Sequence, residues 1–514
     1  MLAVLIAAAM LTAACGSGTS EPGTAPDDAP VEAPSIVDDV ASTRSGAGIG
    51  AAGGNLAAFS ADECDLTRAI RIAYVGPDVS ELEAVGLASL VIEEPAHIIG
   101  AYLTEVNAHG GIHGRCVQSS IHLWSWANPT DSFARICAEV PAGEPIVVIS
   151  LYGDVRGVRC LTVDAELPVY GLYASVPATV QRSSRGRLFL DDGTVGYLLA
   201  SSIEVSHQTG TVDHNAQVGL LYGPPVGVTP SGREYNIGAD FEELVNLTGS
   251  ANLIPGVITH VSSAFGQLAN LGPEGRVRLL QSGLTASEMV DVSAALDEMS
   301  TEQRALLGEI EQFYLDAAME HRDSGVAAIY ATVPWFELRR MMRAAERIGW
   351  HPDWIASDIQ GATLTLTDAP RAQADNFYLV SARPAAGDPL ADLDRGCVGL
   401  RSAAADAPPF PHRHHTDAWG LLVATCDALD VTLSALSRIS GPFSTGAFLE
   451  QLANTEYEGM SGGHLSFGPD DFSGSDRFRV LRADPGCVLD DWGCMRAISE
   501  WLEPLGEEHV DHDE

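Results

Sequence analysis

One feature constrains this chain more than any other: from residue 68 onward, short apolar runs alternate with segments whose apolar residues recur at helical spacing. IRIAYV (70–75), IVVIS (146–150), PVYGLYA (168–174), VGLLYG (218–223), GVITHV (256–261), VAAIYATV (326–333) and FYLV (377–380) read as strands. A run that is apolar at nearly every position suits a parallel strand buried on both faces. CVQSSIHLW (116–124) alternates instead, with Val117, Ser119, Ile121 and Leu123 on one side. Between the strands lie amphipathic segments. Ile99, Tyr102, Leu103 and Val106 share one helical face, and Leu338, Met341, Met342, Ala345 and Ile348 share another. Strand, helix and strand repeated in this way predict βαβ units, hence an α/β protein with parallel sheets covered on both faces. Residues 262–300 break the rhythm and read as an insertion.

The punctuation agrees with the rhythm. NAHGGIHGR (107–115) closes the first helix. Gly110 or Gly111 is placed to stop it with positive φ, a conformation that costs a residue with a Cβ roughly 1–2 kcal/mol. Gly114 allows a tight turn into the next strand. Gly349 marks the end of the helix over 335–348, and Pro352 keeps it from resuming. At 514 residues the chain is long enough for two to three domains.

The first residues have a different character. MLAVLIAAAMLTAACGSG holds an apolar run too short to span a bilayer, as in the core of a signal peptide. Leu11-Thr12-Ala13-Ala14-Cys15 resembles a bacterial lipobox, which makes residues 1–15 a lipoprotein signal with Cys15 as the lipidated residue. Residues 16–67, mostly Gly, Ala, Ser, Pro, Asp and Glu, read as a flexible tether, because they bury too little surface to offset their ordering entropy. The body is therefore expected outside the cytoplasmic membrane, held there by lipid. Eight cysteines remain after Cys15: Cys64, Cys116, Cys137, Cys160, Cys397, Cys426, Cys487 and Cys494. An even number in an exported chain suggests disulfides. Eight cysteines allow 105 pairings; pairing of sequence neighbours (64–116, 137–160, 397–426, 487–494) is the simplest.

Composition removes several function classes. Twenty-nine basic residues, all arginine, face 69 acidic ones, a net charge of −40. Nucleic acid and anionic membrane surfaces are poor partners for such a chain. No glycine-rich loop has the P-loop form, and there is no HExxH. His412, His414 and His415 do not share one helical face and are expected to hold no metal. The sequence implies no cofactor and no enzyme activity.

Residues 70–77 (IRIAYVGP), the NAHGGIHGR segment and the strand after it resemble the leucine/isoleucine/valine-binding family of ABC-transporter solute receptors. The resemblance continues through NPTDSFARICAEV and EPIVVIS, AELPVYGLYAS (165–175), FELRRMMRAAERIGWHPDWIASD (336–358) and TDAWGLLVATCDAL (416–429). It implies a type I periplasmic-binding fold: two doubly wound parallel-sheet lobes joined by a three-strand hinge. Crossings are expected near Leu190–Asp192, Tyr378–Ala382 and Ser466–Ser475. Lobe one would comprise 68–190 plus 382–466, and lobe two 193–377 plus 467–514 with the insertion near 262–300.

Ligands in such sheets bind beyond the carboxyl ends of the strands. By position, the resemblance assigns ligand contacts to Tyr152, Gly153 and Asp154 after one strand and to Tyr173, Ala174 and Ser175 after the next. Ser175 falls where the family often has a hydroxyl. The family favours serines in the first loop, and Asp154 there repels a carboxylate unless it turns away or meets a cation. In lobe two, Asp358 occupies the family's acidic position and calls for a cationic partner such as an ammonium. Tyr222, Thr332 and Trp335 sit at strand ends beside it. The function implied is that of an extracytoplasmic, lipid-anchored receptor that captures a small polar ligand, such as an amino acid, amide or organic acid, for an ABC permease. The alternative is a ligand sensor or structural envelope lipoprotein on the same fold; a histidine-dependent secreted hydrolase is a third class.

Overall fold

The computed structural model describes residues 64–78, 95–125, 129–151, 155–172, 176, 178–191, 193–213, 215–222, 254–260, 301–333, 335–357, 365–366, 369–383, 397, 416–458, 464–468, 472, 474–489 and 492–503. The insertion expected near 262–300 lies outside the described residues, as do Cys15 and the tether up to residue 63.

Five parallel strands form the first sheet: β1 (Asp65–Pro77), β2 (Arg115–Trp124), β3 (Val147–Leu151), β4 (Val169–Leu172) and β5 (Leu188–Leu190), in the order β2-β1-β3-β4-β5. The connecting helices are α1 (Pro95–Ala108), α2 (Pro129–Ala142), α3 (Val155–Arg159), which runs into a π-turn at Cys160–Asp164, and α4 (Ala178–Ser183). Helix α5 (Val195–Gln208) leads to the second sheet, made of β6 (Gln217–Tyr222), β7 (Ile254–His260), β8 (Ala328–Thr332), β9 (Asp353–Ser357), β10 (Phe377–Ser381), β13 (Arg479–Leu489) and β14 (Trp492–Ala497). Its order is β14-β13-β10-β9-β8-β6-β7, with β13 and β14 antiparallel. Helices α6 (Thr301–Asp323), α7 (Trp335–Arg347) and α8 (Arg371–Ala374) connect its strands. After β10 the chain returns to the first sheet, where α9 (Thr416–Ser437), α10 (Thr445–Leu452) and the hairpin of β11 (Glu456–Glu458) and β12 (His464–Ser466) pack.

Each sheet carries two cores, as the continuous apolar runs require. In the first sheet Ile70, Ile72, Tyr74, Ile149 and Tyr170 pack beneath α1, α9 and α10, while Val75, Val148, Val169 and Leu188 pack with Phe133 and Ile136 of α2. In the second, Ile329, Ala331, Trp354 and Leu379 meet Leu338, Met341 and Met342 of α7; Leu220, Tyr330 and Ile355 meet Leu199 and Ile203 of α5. The alternation expected of 116–124 fails in part. Val117 is buried, but Ile121 is exposed, because β2 is an edge strand and lacks a covering neighbour on one side.

The helix stops are where the glycines predict them. Gly110, Gly111 and Gly114 have φ of 91°, 66° and 75°. Gly111 donates its N–H to the Val106 carbonyl and Gly110 to that of Asn107. Asn107 then clamps the next strand: its side chain accepts from the Val117 N–H at 2.7 Å and donates to the Val117 carbonyl at 2.9 Å. Gly349, at φ 65°, ends α7 with Trp350 N–H bonded back to Ala345. Three of the neighbour disulfides form: Cys64–Cys116, Cys137–Cys160 and Cys397–Cys426. Cys487 and Cys494 lie on β13 and β14, with side chains outside the described residues.

Candidate functional site at the facing strand ends

The geometry of the site follows from where the two sheets meet. Asp191 lies one residue beyond the carboxyl end of β5, and Arg383 lies two residues beyond that of β10. Their side chains form an ion pair at 3.2 Å, and each is 8% exposed. This contact brings the carboxyl edge of the first sheet against the carboxyl edge of the second. The link from β5 to α5 points the same way. Only residues 191–194 separate them, a reach of about 14 Å at most. Thr194 caps α5, accepting from the Tyr197 N–H. The first turn of α5 therefore sits at the junction of the two carboxyl edges, the usual place for ligands in open α/β sheets.

On the second sheet, three hydroxyl residues form a row across adjacent strands. Tyr222 ends β6, Thr332 ends β8 and Ser357 ends β9. Tyr222 is in register with Thr332, and Ala331 with Ala356, which places Ser357 beside Thr332. By the alternation of strand side chains, all three lie on the face that α5 covers. Thr332 is 8% exposed and Ser357 3%, and neither hydroxyl has a hydrogen-bond partner. Burial holds the Tyr222 phenol above its usual pKa, so it stays protonated and able to donate.

Of the residues expected at the site, Tyr222 and Thr332 are thus brought together. Trp335 opens α7 directly after β8, with its side chain outside the described residues. Tyr152, Gly153, Asp154, Tyr173, Ala174, Ser175 and Asp358 lie outside the described residues, immediately beyond the ends of β3, β4 and β9. Ser357 was missed by sequence reasoning. The signal was available, since a serine closing the apolar run DWIAS is a polar residue at the carboxyl end of a buried strand. On the first sheet, Ser150 near the end of β3 is also buried, and the Tyr74 ring folds over Gly76 near the end of β1. A Cβ at Gly76 would lie 2.3 Å from the Tyr74 hydroxyl, so the strand end is shaped for that ring.

No protein-family model matches the chain. No curated protein matches its sequence. Solved structures do match. An extracellular ligand-binding receptor from Verminephrobacter eiseniae aligns at TM-score 0.53 and 14% identity over 80% of this chain and 97% of that one. The fold is that of the type I periplasmic-binding proteins. A branched-chain amino acid ABC transporter protein from Thermus thermophilus, with bound valine, aligns at TM-score 0.53 and 12% identity over 86% of this chain and 97% of that one. A solute-binding protein of an ABC transporter from Rhodopseudomonas palustris, in complex with 3,4-dihydroxybenzoic acid, aligns at TM-score 0.53 and 12% identity over 85% and 98%. The type I fold accounts for the two sheets, each wound with helices on both faces. No helix among the described residues is long and apolar enough to cross a membrane. No group of three or more His, Cys, Asp or Glu among them is placed to hold a metal, and His412, His414 and His415 lie outside them.

Proposed function

We propose that this protein is an extracytoplasmic, lipid-anchored solute-binding protein that takes a small polar ligand between its two sheets and delivers it to an ABC importer. The observation that carries the reading is the pair of buried, unpartnered hydroxyls at Thr332 and Ser357. A buried hydroxyl left without a partner costs roughly 1–3 kcal/mol, so such groups call for an explanation. A ligand supplies one: a carboxylate accepts from both hydroxyls, and an amide or amine donates to them. Tyr222 adds a third donor to the row. Asp358, next in sequence to Ser357, would pair with a ligand ammonium, and Tyr152–Asp154 with Tyr173–Ser175 would contact the ligand from the first sheet. The amino acid and aromatic acid named for the similar structures fall within this class of small polar ligands.

Lobe one would hold 68–190 plus 382–466, and lobe two 193–377 plus 467–514, with closure about the crossings between them. Ligand contacting both lobes shifts the population toward the closed form. Cys15 would carry the lipid, and residues 16–63 would tether the lobes to the membrane, since Cys64 is bonded to Cys116 and Asp65 opens β1. A thermal-shift screen over amino acids, amides, polyamines and aromatic acids tests the reading. One ligand class should stabilise the protein, by about 2.7 kcal/mol at a hundredfold excess over Kd. Thr332→Val and Ser357→Ala should each raise the ligand-free melting temperature, since an orphan polar group is removed, and should lose most of the ligand-induced shift. A panel that moves no melting temperature would sink the receptor reading.

A further inference from the structure

The three segments that pass between the sheets are tied to one another by a single buried network. The first contributes Leu190 and Asp191, the second Ser381 and Arg383, and the third Phe472, Gly474 and Ser475 with Arg479. Asp191 holds Arg383 through its carboxylate and receives the Ser475 hydroxyl at 2.6 Å on its backbone carbonyl. Arg479 donates to the Arg383 carbonyl at 3.2 Å, and the Arg383 N–H donates to the Ser381 hydroxyl at 3.0 Å. Leu190 exchanges backbone bonds with the third segment, donating to Phe472 at 2.8 Å and accepting from Gly474 at 2.6 Å. The network then reaches the helix that covers the hydroxyl row: Tyr197, in the first turn of α5, donates to the Ser475 carbonyl at 3.0 Å, with its ring edge-on to Phe478.

We propose that Asp191, Arg383, Ser475 and Tyr197 form a clasp that fixes the angle between the two sheets in the ligand-free protein and holds the first turn of α5 over the hydroxyl row. They are positioning residues, and their link to ligand affinity rests on the binding function proposed above. The physical basis is that a buried, hydrogen-bonded ion pair has few alternative arrangements of similar energy. A rotation of one sheet against the other must carry the clasp intact or break it, and breaking it strands charge in the interior. The resting geometry is therefore discrete, as a two-state closure requires. Because Tyr197 shares the clasp, any change in the crossing segments is felt at the end of α5 nearest the row.

The test measures the distance between spin labels at two exposed positions, Ser120 on the β2 edge and Glu320 on α6, in the intact ligand-free protein. Wild type should give one narrow distribution. Ser475→Ala, Tyr197→Phe and their combination should shift or broaden it by several ångströms. Both changes are uncharged, and the second keeps the ring against Phe478, so neither strands a charge in the interior. A lower melting temperature with a distance distribution that superposes on wild type would mean the network is structural padding, and the proposal falls. Where the screen yields a ligand, the same variants should change its Kd about tenfold through the shifted resting population; a shifted distribution with unchanged Kd overturns the link to binding. A screen that yields no ligand counts against the receptor reading, while the label distances still decide whether the clasp sets the angle.

Discussion

At the residue scale, the glycines of the 107–115 turn separate two kinds of constraint. A Cβ built at Gly114 meets nothing within 4 Å, so only its φ of 75° opposes a side chain. A Cβ at Gly111 would lie 2.0 Å from the Arg115 carbonyl oxygen, on top of a φ of 66°. Gly114→Ala should therefore cost only the conformational term, about 1–2 kcal/mol. Gly111→Ala adds a collision with backbone that cannot rotate away, and should cost about twice as much or more. Urea denaturation of the two variants checks the order; equal losses would show that the turn relaxes around Gly111. Both glycines were legible in the sequence because a left-handed turn has few residue solutions. The orphan hydroxyl of Ser357 was less so, since the sequence draws attention to the charge of Asp358 next to it. The Asp191–Arg383 pair was not legible at all: 192 residues separate its members, and no local pattern records such a contact.

At the element scale, β6, β7 and α6 meet around one histidine. His321 is fully buried in α6, with Nε2 2.8 Å from the Thr259 hydroxyl of β7 and no partner at Nδ1. Its ring stacks on Trp350, and Gly219 of β6 leaves room for it, since a Cβ there would lie 2.5 Å from Nδ1. Burial pushes its pKa down to about 4 from the usual 6.5. Between these values the unfolded chain binds a proton that the folded chain does not. Stability is therefore whole above pH 6.5 and falls as the pH drops toward 4. The loss approaches about 3 kcal/mol at the lower end, from 1.36 kcal/mol per unit of displacement. His321→Gln should flatten the pH dependence of the denaturation midpoint across that window; an unchanged slope would place the proton elsewhere. The parallel strands on either side were legible because burial on both faces leaves continuous apolar runs. Strand β5, with only Leu188–Leu190, and the antiparallel pair β13 and β14 were not read as strands. Three residues are too few to show a period, and the β13 run breaks at Pro485 and Gly486.

At the scale of the whole molecule, the covalent links among the described residues are unevenly distributed. Cys64–Cys116 joins the start of β1 to β2, Cys137–Cys160 joins α2 to the π-turn, and Cys397–Cys426 ties α9 into the same core. All three described bridges thus brace the first sheet and its helices, while the second sheet is held by the larger run of parallel and antiparallel pairing. A disulfide stabilises mainly by restricting the unfolded chain, typically by about 2–4 kcal/mol. Losing three bridges on one side removes a large part of a domain's marginal stability, which is about 5–15 kcal/mol. The clasp at the crossings is a route by which one half can support the other. Calorimetry of the oxidised protein should give one dominant transition. In reductant the first-sheet half should melt well below the second, splitting the transition in two. Hydrogen exchange at β3 and β4 should rise while that at β8 and β9 stays slow. If reduction lowers both halves together, the clasp couples them more strongly than the bridges separate them, and the two sheets unfold as one unit.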